Sequence, residues 1–199
     1  MPGLLFVLSG PSGVGKSTVR KAILGQCHGL RFSISYTTRV QRSGEHDGVD
    51  YYFVDDQTFQ HMKKENQFIE WAKVHGNYYG TPRKKMEEWL ENGLDVILEI
   101  DVQGALQVKK NYPQGIFVFI APPSLKALGE RLRDRKTDRE DVVYLRMTNA
   151  LLEMKSIRDY NYLIINDVLE VTVHKFYSVI IAERCRIRWT DDAQKICIE

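Results

Sequence analysis

The sequence predicts an α/β protein: a parallel sheet core with helices on both faces, a mostly-β lobe inserted early and a helical lid inserted late. Three observations predict it. An apolar run at 4–8 leads into Gly10-Pro11-Ser12-Gly13-Val14-Gly15-Lys16-Ser17, and a helical pattern follows. From residue 82 onward, short apolar strands alternate with helical stretches. Between them lies a tract with the alternation and turn signals of a small sheet.

Residues 4–8 read as a buried strand and 18–26 as the helix after it. Residues 31–36 alternate, with Phe32, Ile34 and Tyr36 on one side and Ser33 and Ser35 on the other, which predicts one strand. The polar stretch 37–50, with Gly44 and Gly48, is a loop. A strand at 51–54, a short helix at 59–64 and a strand at 68–74 follow, with Gly76-Asn77 as a hairpin turn. Thr81 is predicted to N-cap a helix with Pro82 at its first position, and Gly93 follows the end of that helix. Then come a strand at 95–100, a helix at 102–110, a strand at 116–120 and a helix capped by Ser124. The charged run 132–141 reads on its own as a solvated face. A helix at 142–157, a strand at 162–165 and a closing helix at 168–186 complete the pattern. The expected division is a core of 1–32, 82–125 and 159–199, a lobe of 33–81 and a lid of 126–158. Ligands of such sheets sit at the carboxyl ends of the strands, and both insertions flank that edge.

A length of 199 residues suits one domain with inserted lobes, and 43% hydrophobic residues supply a full core. A net charge of +2 gives no case for nucleic acid or an anionic membrane as partner. Cys27, Cys185 and Cys197 are odd in number and far apart, so neither a disulfide framework nor a zinc site is expected. A reducing, cytoplasmic location follows. No apolar run approaches the ~20 residues of a membrane span. The apolar start lacks a basic leader and runs into the glycine-rich loop, so it reads as a strand and not as a signal peptide.

The segment from Gly10 to Ser17 matches G-x-x-x-x-G-K-[ST], in the strand–loop–helix setting that gives the pattern its chemistry. Glycines let backbone N–H groups curl round an anion, and the helix N-terminus adds a favourable dipole. Gly10, Pro11, Ser12, Gly13, Val14, Gly15, Lys16, Ser17 and Thr18 are therefore candidates to bind a nucleoside triphosphate. Lys16 is expected to reach its β- and γ-phosphates and Ser17 its Mg²⁺.

The lobe carries a second constellation. Arg39 and Arg42 stand three residues apart, and Tyr51 and Tyr79 come from neighbouring strands. Two guanidiniums and two phenols can converge on one phosphate dianion through charge-assisted hydrogen bonds. Glu70 lies among apolar neighbours in Phe68-Ile69-Glu70-Trp71. An ionised carboxylate only accepts hydrogen bonds, so it fits the adjacent N1–H and N2–H₂ donors of guanine. Adenine offers an acceptor at N1 and is disfavoured there. Tyr52, Phe53, Phe59 and Trp71 read as lobe core. The five histidines show no ligand spacing. Asp101 ends a strand at the ligand edge, where a functional role competes with a helix N-cap.

Ser35-Tyr36-Thr37-Thr38-Arg39-Val40-Gln41-Arg42-Ser43-Gly44-Glu45, Asp50-Tyr51-Tyr52-Phe53, Gly76-Asn77-Tyr78-Tyr79-Gly80-Thr81 and Leu98-Glu99-Ile100-Asp101-Val102-Gln103-Gly104 carry a resemblance to the guanylate kinase family. It covers nearly the whole chain, in order. The resemblance implies a P-loop nucleoside monophosphate kinase fold and transfer of phosphate from ATP, with Mg²⁺, to GMP and also to dGMP. It implies that Arg39, Arg42, Tyr51 and Tyr79 hold the GMP phosphate and that Glu45 orients the arginines. Ser35, Glu70, Thr81 and Asp101 then surround the guanine. Lys16 and Arg39 act with Arg131, Arg135 and Arg146 on the transferring phosphates. Asn166-Asp167 lies near the ATP base and ribose, and Glu99 meets the Mg²⁺ through water.

Two positions depart from the family pattern. Glu99 stands where Asp is common, and Lys136 where Gly is common. A monomer or small homo-oligomer is expected, with no nucleic acid and no membrane as partner. Two other readings remain at this stage. One is a kinase for a different nucleoside monophosphate. The other is a non-catalytic interaction module, a class whose phosphate loop is typically degraded, whereas this loop is intact.

Overall fold

The computed structural model describes residues 2–74, 76–134 and 140–186. Arg135, Lys136, His75, Trp189 and Cys197, on which expectations fell, lie outside the described residues.

Five strands form the core sheet: β1 (Leu5–Ser9), β2 (Leu30–Phe32), β7 (Asp95–Glu99), β8 (Ile116–Ala121) and β9 (Tyr162–Ile165). Their order is β2-β7-β1-β8-β9 and every pairing is parallel. Alternation along β1 feeds two cores. Phe6 and Leu8 pack with α1 (Lys16–Leu24) and α7 (Leu169–Cys185), including Ile23 and Phe176. Leu5 and Val7 pack with α3 (Arg83–Glu91) and α4 (Val102–Asn111), including Met86 and Val108. Apolar residues on both sides of one strand are the physical reason helices cover both faces. The order reverses beside β1, which places the β1–α1 loop at the ligand edge. None of the described helices is long and apolar enough to cross a membrane.

The second sheet has order β4-β3-β6-β5, built from β3 (Tyr36–Thr37), β4 (Tyr52–Phe53), β5 (Phe68–Val74) and β6 (Asn77–Pro82). Between β4 and β5 lies α2 (Asp56–Lys64), whose N-cap Asp55 accepts from the Thr58 N–H at 2.6 Å. After β8, α5 (Leu125–Asp134) packs on α6 (Glu140–Met154) through Leu128, Leu132, Val143 and Ala150. Ser124 accepts from the Ala127 N–H at 3.0 Å, as its cap position predicts.

Three expectations are corrected. The strand predicted at 31–36 is two strands in two sheets: β2 pairs with β7, whereas β3 pairs with β4 and β6. Its buried side is polar, because Ser33, Ser35 and Thr37 turn inward while Phe32, Ile34 and Tyr36 are half-buried. Thr81 does not cap α3. Pro82 takes the cap position with extended backbone and no side-chain bond, and the Thr81 hydroxyl is used by a buried carboxylate instead. The helix predicted at 142–157 begins earlier, at Glu140, and ends at Met154, with a 3₁₀ turn at Lys155–Asp159.

Candidate active site

A cavity of about 420 Å³ lies between the two sheets. The β1–α1 loop forms one wall. Gly10, Gly13 and Gly15 have φ of 140°, 86° and 96°, values that side chains resist, and these turns curl the loop. Gly15 is the N-cap of α1, no side chain caps that helix, and its first residues line the cavity, so the helix N-terminus offers its N–H groups to an anion there. Lys16 Nζ donates to the carbonyls of Gly10 at 2.6 Å and Pro11 at 3.0 Å, which keeps the ammonium over the loop. Ser12, Ser17 and Thr18 line the same wall, and Val14 anchors the loop in the core.

Asn166 braces this loop from below. Its Nδ2 donates to the Val14 carbonyl at 2.7 Å, and its Oδ1 accepts from the Thr172 hydroxyl at 3.0 Å. Glu99, at the end of β7, accepts from Ser17 Oγ at 2.5 Å and from Arg20 Nε at 2.8 Å. Arg20 is buried and stacks on Phe32, 3.8 Å from the ring centroid. The glutamate is thus long enough to reach the Ser17 hydroxyl directly. A hydroxyl and a carboxylate oxygen side by side suit a hard cation such as Mg²⁺, which takes few protein ligands and keeps the rest for phosphate and water.

The opposite wall belongs to the small sheet and its 38–51 loop. Arg39 Nη2 donates to both Glu45 oxygens, at 2.8 and 3.0 Å. The Arg42 N–H donates to Glu45 at 2.9 Å. Burial would raise the Glu45 carboxyl, but these bonds outweigh it and hold it below its ordinary value. Arg39 also lies over Tyr51, 5.5 Å from the ring centroid, and Tyr51 meets Tyr79 edge-on at 5.9 Å. Burial, with the Glu99 charge, raises the Tyr51 phenol, so it stays a neutral donor. Arg39, Arg42, Glu45, Tyr51 and Tyr79 all line the cavity.

Glu70 projects from β5 at the cavity's inner end and is 3% exposed. Its Oε1 accepts from the Thr81 hydroxyl at 2.5 Å, and Thr81 meets Ser35 Oγ at 3.2 Å. Burial pushes the carboxyl up, the Thr81 bond opposes this and the Asp101 charge adds to it, leaving it at about 8. Asp101 both caps α4, accepting from the Gly104 N–H at 2.7 Å, and lines the cavity. The N-cap reading of Asp101 is thus realised, and its position also leaves it at the cavity.

Lid residues divide. Arg146 of α6 is 8% exposed and its Nη1 reaches Ser12 Oγ at 3.5 Å, on the phosphate loop. Arg131 of α5 turns elsewhere. Its guanidinium donates to the Asn166 carbonyl at 2.8 Å and the Asp167 carbonyl at 3.4 Å, on the outer side of the loop. There it lines a second cavity with Val14, Gly15, Thr18, Asn166 and Asp167.

Sequence reasoning missed Glu153, which follows Arg146 by seven residues on the same face of α6 and lines the main cavity. Burial, against the Lys16 charge, pushes its carboxyl up to about 6. The i, i+7 spacing from Arg146 was the available signal. Also missed was Lys21, whose Nζ lies 3.0 Å from Asp50 Oδ1 and so ties α1 to the small lobe.

A facing pair of walls, one a phosphate loop and the other an arginine–tyrosine clamp, has a counterpart among known proteins. The family model described as guanylate kinase matches residues 3–183. The chain belongs to the guanylate kinase family. It is 52% identical over 184 residues to the guanylate kinase of Carboxydothermus hydrogenoformans, covering 92% of this chain and 90% of that one. It is 50% identical over 185 residues to the guanylate kinase of Clostridium tetani, covering 93% and 88%. Among solved structures, the guanylate kinase from Anaplasma phagocytophilum superposes with a TM-score of 0.80 at 33% identity, covering 93% of this chain and 88% of that one. Family membership accounts for the two sheets and for the cavity between them.

Proposed function

We propose that the chain transfers the γ-phosphoryl group of ATP to GMP, giving ADP and GDP, in the cavity between its two sheets. The observation that carries this is one continuous cavity lined by Lys16 and Ser17 on one wall, Arg39, Arg42 and Tyr79 on the other, and Glu70 at its end. Donor and acceptor phosphates then meet without either leaving the protein.

A phosphate oxygen of GMP attacks the γ-phosphorus, and the bond from that phosphorus to the oxygen bridging to the β-phosphate breaks. The nucleophile is already an anion, so no side chain need take a proton. The protein's part is positioning and charge stabilisation. Loop N–H groups and Lys16 hold the β/γ end of ATP. Arg39, Arg42, Tyr51 and Tyr79 hold the GMP phosphate, with Glu45 fixing the arginines. Arg146, beside Ser12, faces the oxygens that change charge. Ser17 and Glu99 would hold Mg²⁺, which supplies charge neutralisation to the phosphates. Asn166 and Asp167 serve the base and ribose end of ATP, with Arg131 beside them in the second cavity. Ionised Glu70 accepts from guanine, with Ser35, Thr81 and Asp101 around it. The lobe 33–81 and lid 126–158 close over the core to exclude water, the competing nucleophile. dGMP fits the same reading as a second acceptor. A monomer or a small homo-oligomer fits this reading. A cytoplasmic location agrees with the free thiols of Cys27 and Cys185.

A coupled ADP-release assay with Mg²⁺ and ATP, offering GMP, AMP, CMP and UMP separately, tests the reading. Turnover with GMP alone is expected. Equal turnover with another monophosphate would remove the role given to Glu70, and no turnover with any acceptor would remove the transfer itself.

A further inference from the structure

The first turn of α4 contains a glycine that helix formation does not want. Glycine in a helix interior is disfavoured relative to alanine, because it loses more backbone freedom on folding. Gly104 is buried and shows no positive φ, so the backbone does not require it. What requires it is space. A Cβ there would stand 2.4 Å from Glu70 Oε2, 3.0 Å from Glu70 Cδ and 3.2 Å from Asp101 Oδ1.

The helix cannot easily withdraw. Gln107 donates to the Trp71 carbonyl at 2.7 Å and accepts from the Trp71 N–H at 3.3 Å. Asn111 donates to the Ile69 carbonyl at 3.2 Å. Gly104, Gln107 and Asn111 follow i, i+3, i+7 spacing, so one face of α4 presents all three to β5. The two amides take up hydrogen-bonding groups at the free edge of β5 and fix the spacing between helix and strand. An added methyl is therefore absorbed by the far end of Glu70.

We infer that Gly104 is a specificity-determining residue: its missing side chain is the space that lets the Glu70 carboxylate stand where it meets guanine. This rests on the reading of Glu70 as the guanine acceptor. A residue that moves Glu70 without unfolding the protein alters acceptor choice and leaves ATP alone.

The test is a double-mutant cycle on the full chain with Gly104→Ala, Glu70→Ala and the pair, measuring KM for GMP and for ATP, the GMP to IMP preference, and the thermal midpoint. IMP lacks the exocyclic amine and keeps N1–H, so the preference reports carboxylate placement. Gly104→Ala is expected to raise KM for GMP about tenfold and to lower the preference for GMP over IMP. KM for ATP and the midpoint should stay near wild type. In the Glu70→Ala background the same change should have under about a twofold effect, because the atoms it would strike are gone. A large Glu70→Ala effect with no Gly104→Ala effect would overturn the inference alone. An unchanged KM for GMP in Glu70→Ala would overturn the reading beneath it, and the inference with it. Additive effects, or equal rises in both KM values, would make Gly104 a packing residue only. If Gly104→Ala alone does not fold, recovery in the double variant supports the Glu70 clash, and no recovery overturns it.

Discussion

The two walls of the cavity are built in opposite ways. The wall proposed to hold the donor phosphates is one contiguous segment, Gly10 to Thr18, whose offer is backbone and a helix end without a side-chain cap. The acceptor wall is made of side chains from separate places: Ser35, the 38–51 loop, β5, β6 and the start of α4. A backbone site is set by conformation and recognises what all triphosphates share. A side-chain site is set by tertiary packing and can tell one base from another. Substitutions on the first wall should therefore affect turnover with any acceptor, and those on the second should affect the choice of acceptor.

The largest effect is expected from Lys16→Ala. Removing one preorganised charged donor from the transferring phosphates should lower kcat about a hundredfold or more. Circular dichroism and the melting midpoint should stay close to wild type, since Lys16 sits at the cavity wall, where its ammonium donates to the carbonyls of Gly10 and Pro11. Near-normal turnover would remove the division of labour between the walls.

A middle-sized effect concerns protons. The Glu70 carboxyl, with an ordinary value of 4.5, is pushed up to about 8, so the protein without GMP holds a proton there at neutral pH. Guanine's donors require the carboxylate. GMP binding below about pH 8 should release a proton, and GMP affinity should rise with pH to that point and then level off. Calorimetry in buffers of different ionisation enthalpy counts the proton, and Glu70→Gln should abolish the release. Stability has a matching sign. Between 4.5 and about 8 the folded state binds more protons at this site than the unfolded one, so the Glu70 contribution to stability falls as pH rises through that window.

The smallest effect is expected from Lys21→Ala. Its pair with Asp50 spans the two walls at 3.0 Å, but the lysine side chain is 61% exposed. Such pairs contribute about 0.2–1 kcal/mol, so KM for GMP should rise only a few-fold and should do so less in high salt. A tenfold change would make the pair a principal tie between core and lobe.

The strand–loop–helix fold of the contiguous wall was legible in the sequence, because its three parts are neighbours in the chain. The other wall was legible in its residue types and through the family resemblance, but not in its geometry. Nothing local in 31–36 says that Leu30–Phe32 pairs with β7 while Tyr36–Thr37 pairs across the cavity, since the alternation runs through both. Thr81-Pro82 reads locally as a helix start. The nearby carboxylate of Glu70, eleven residues back, took the hydroxyl instead. Arg131 and Arg146 both read as lid arginines, yet they line different cavities, because α5 lies toward Asn166 and α6 toward Ser12. Gly104 was visible only as part of a motif, as its role depends on how closely α4 approaches β5.

Two-substrate kinetics of Glu70→Gln tests the division between the walls most directly. The amide keeps the size of the side chain and replaces an acceptor with a donor facing guanine's donors. KM for GMP should rise by tenfold or more, on the order of one lost buried hydrogen-bond match, with KM for ATP within about twofold of wild type. Equal rises in both constants, or none in either, would contradict a cavity in which one wall holds the phosphate donor and the other chooses the base.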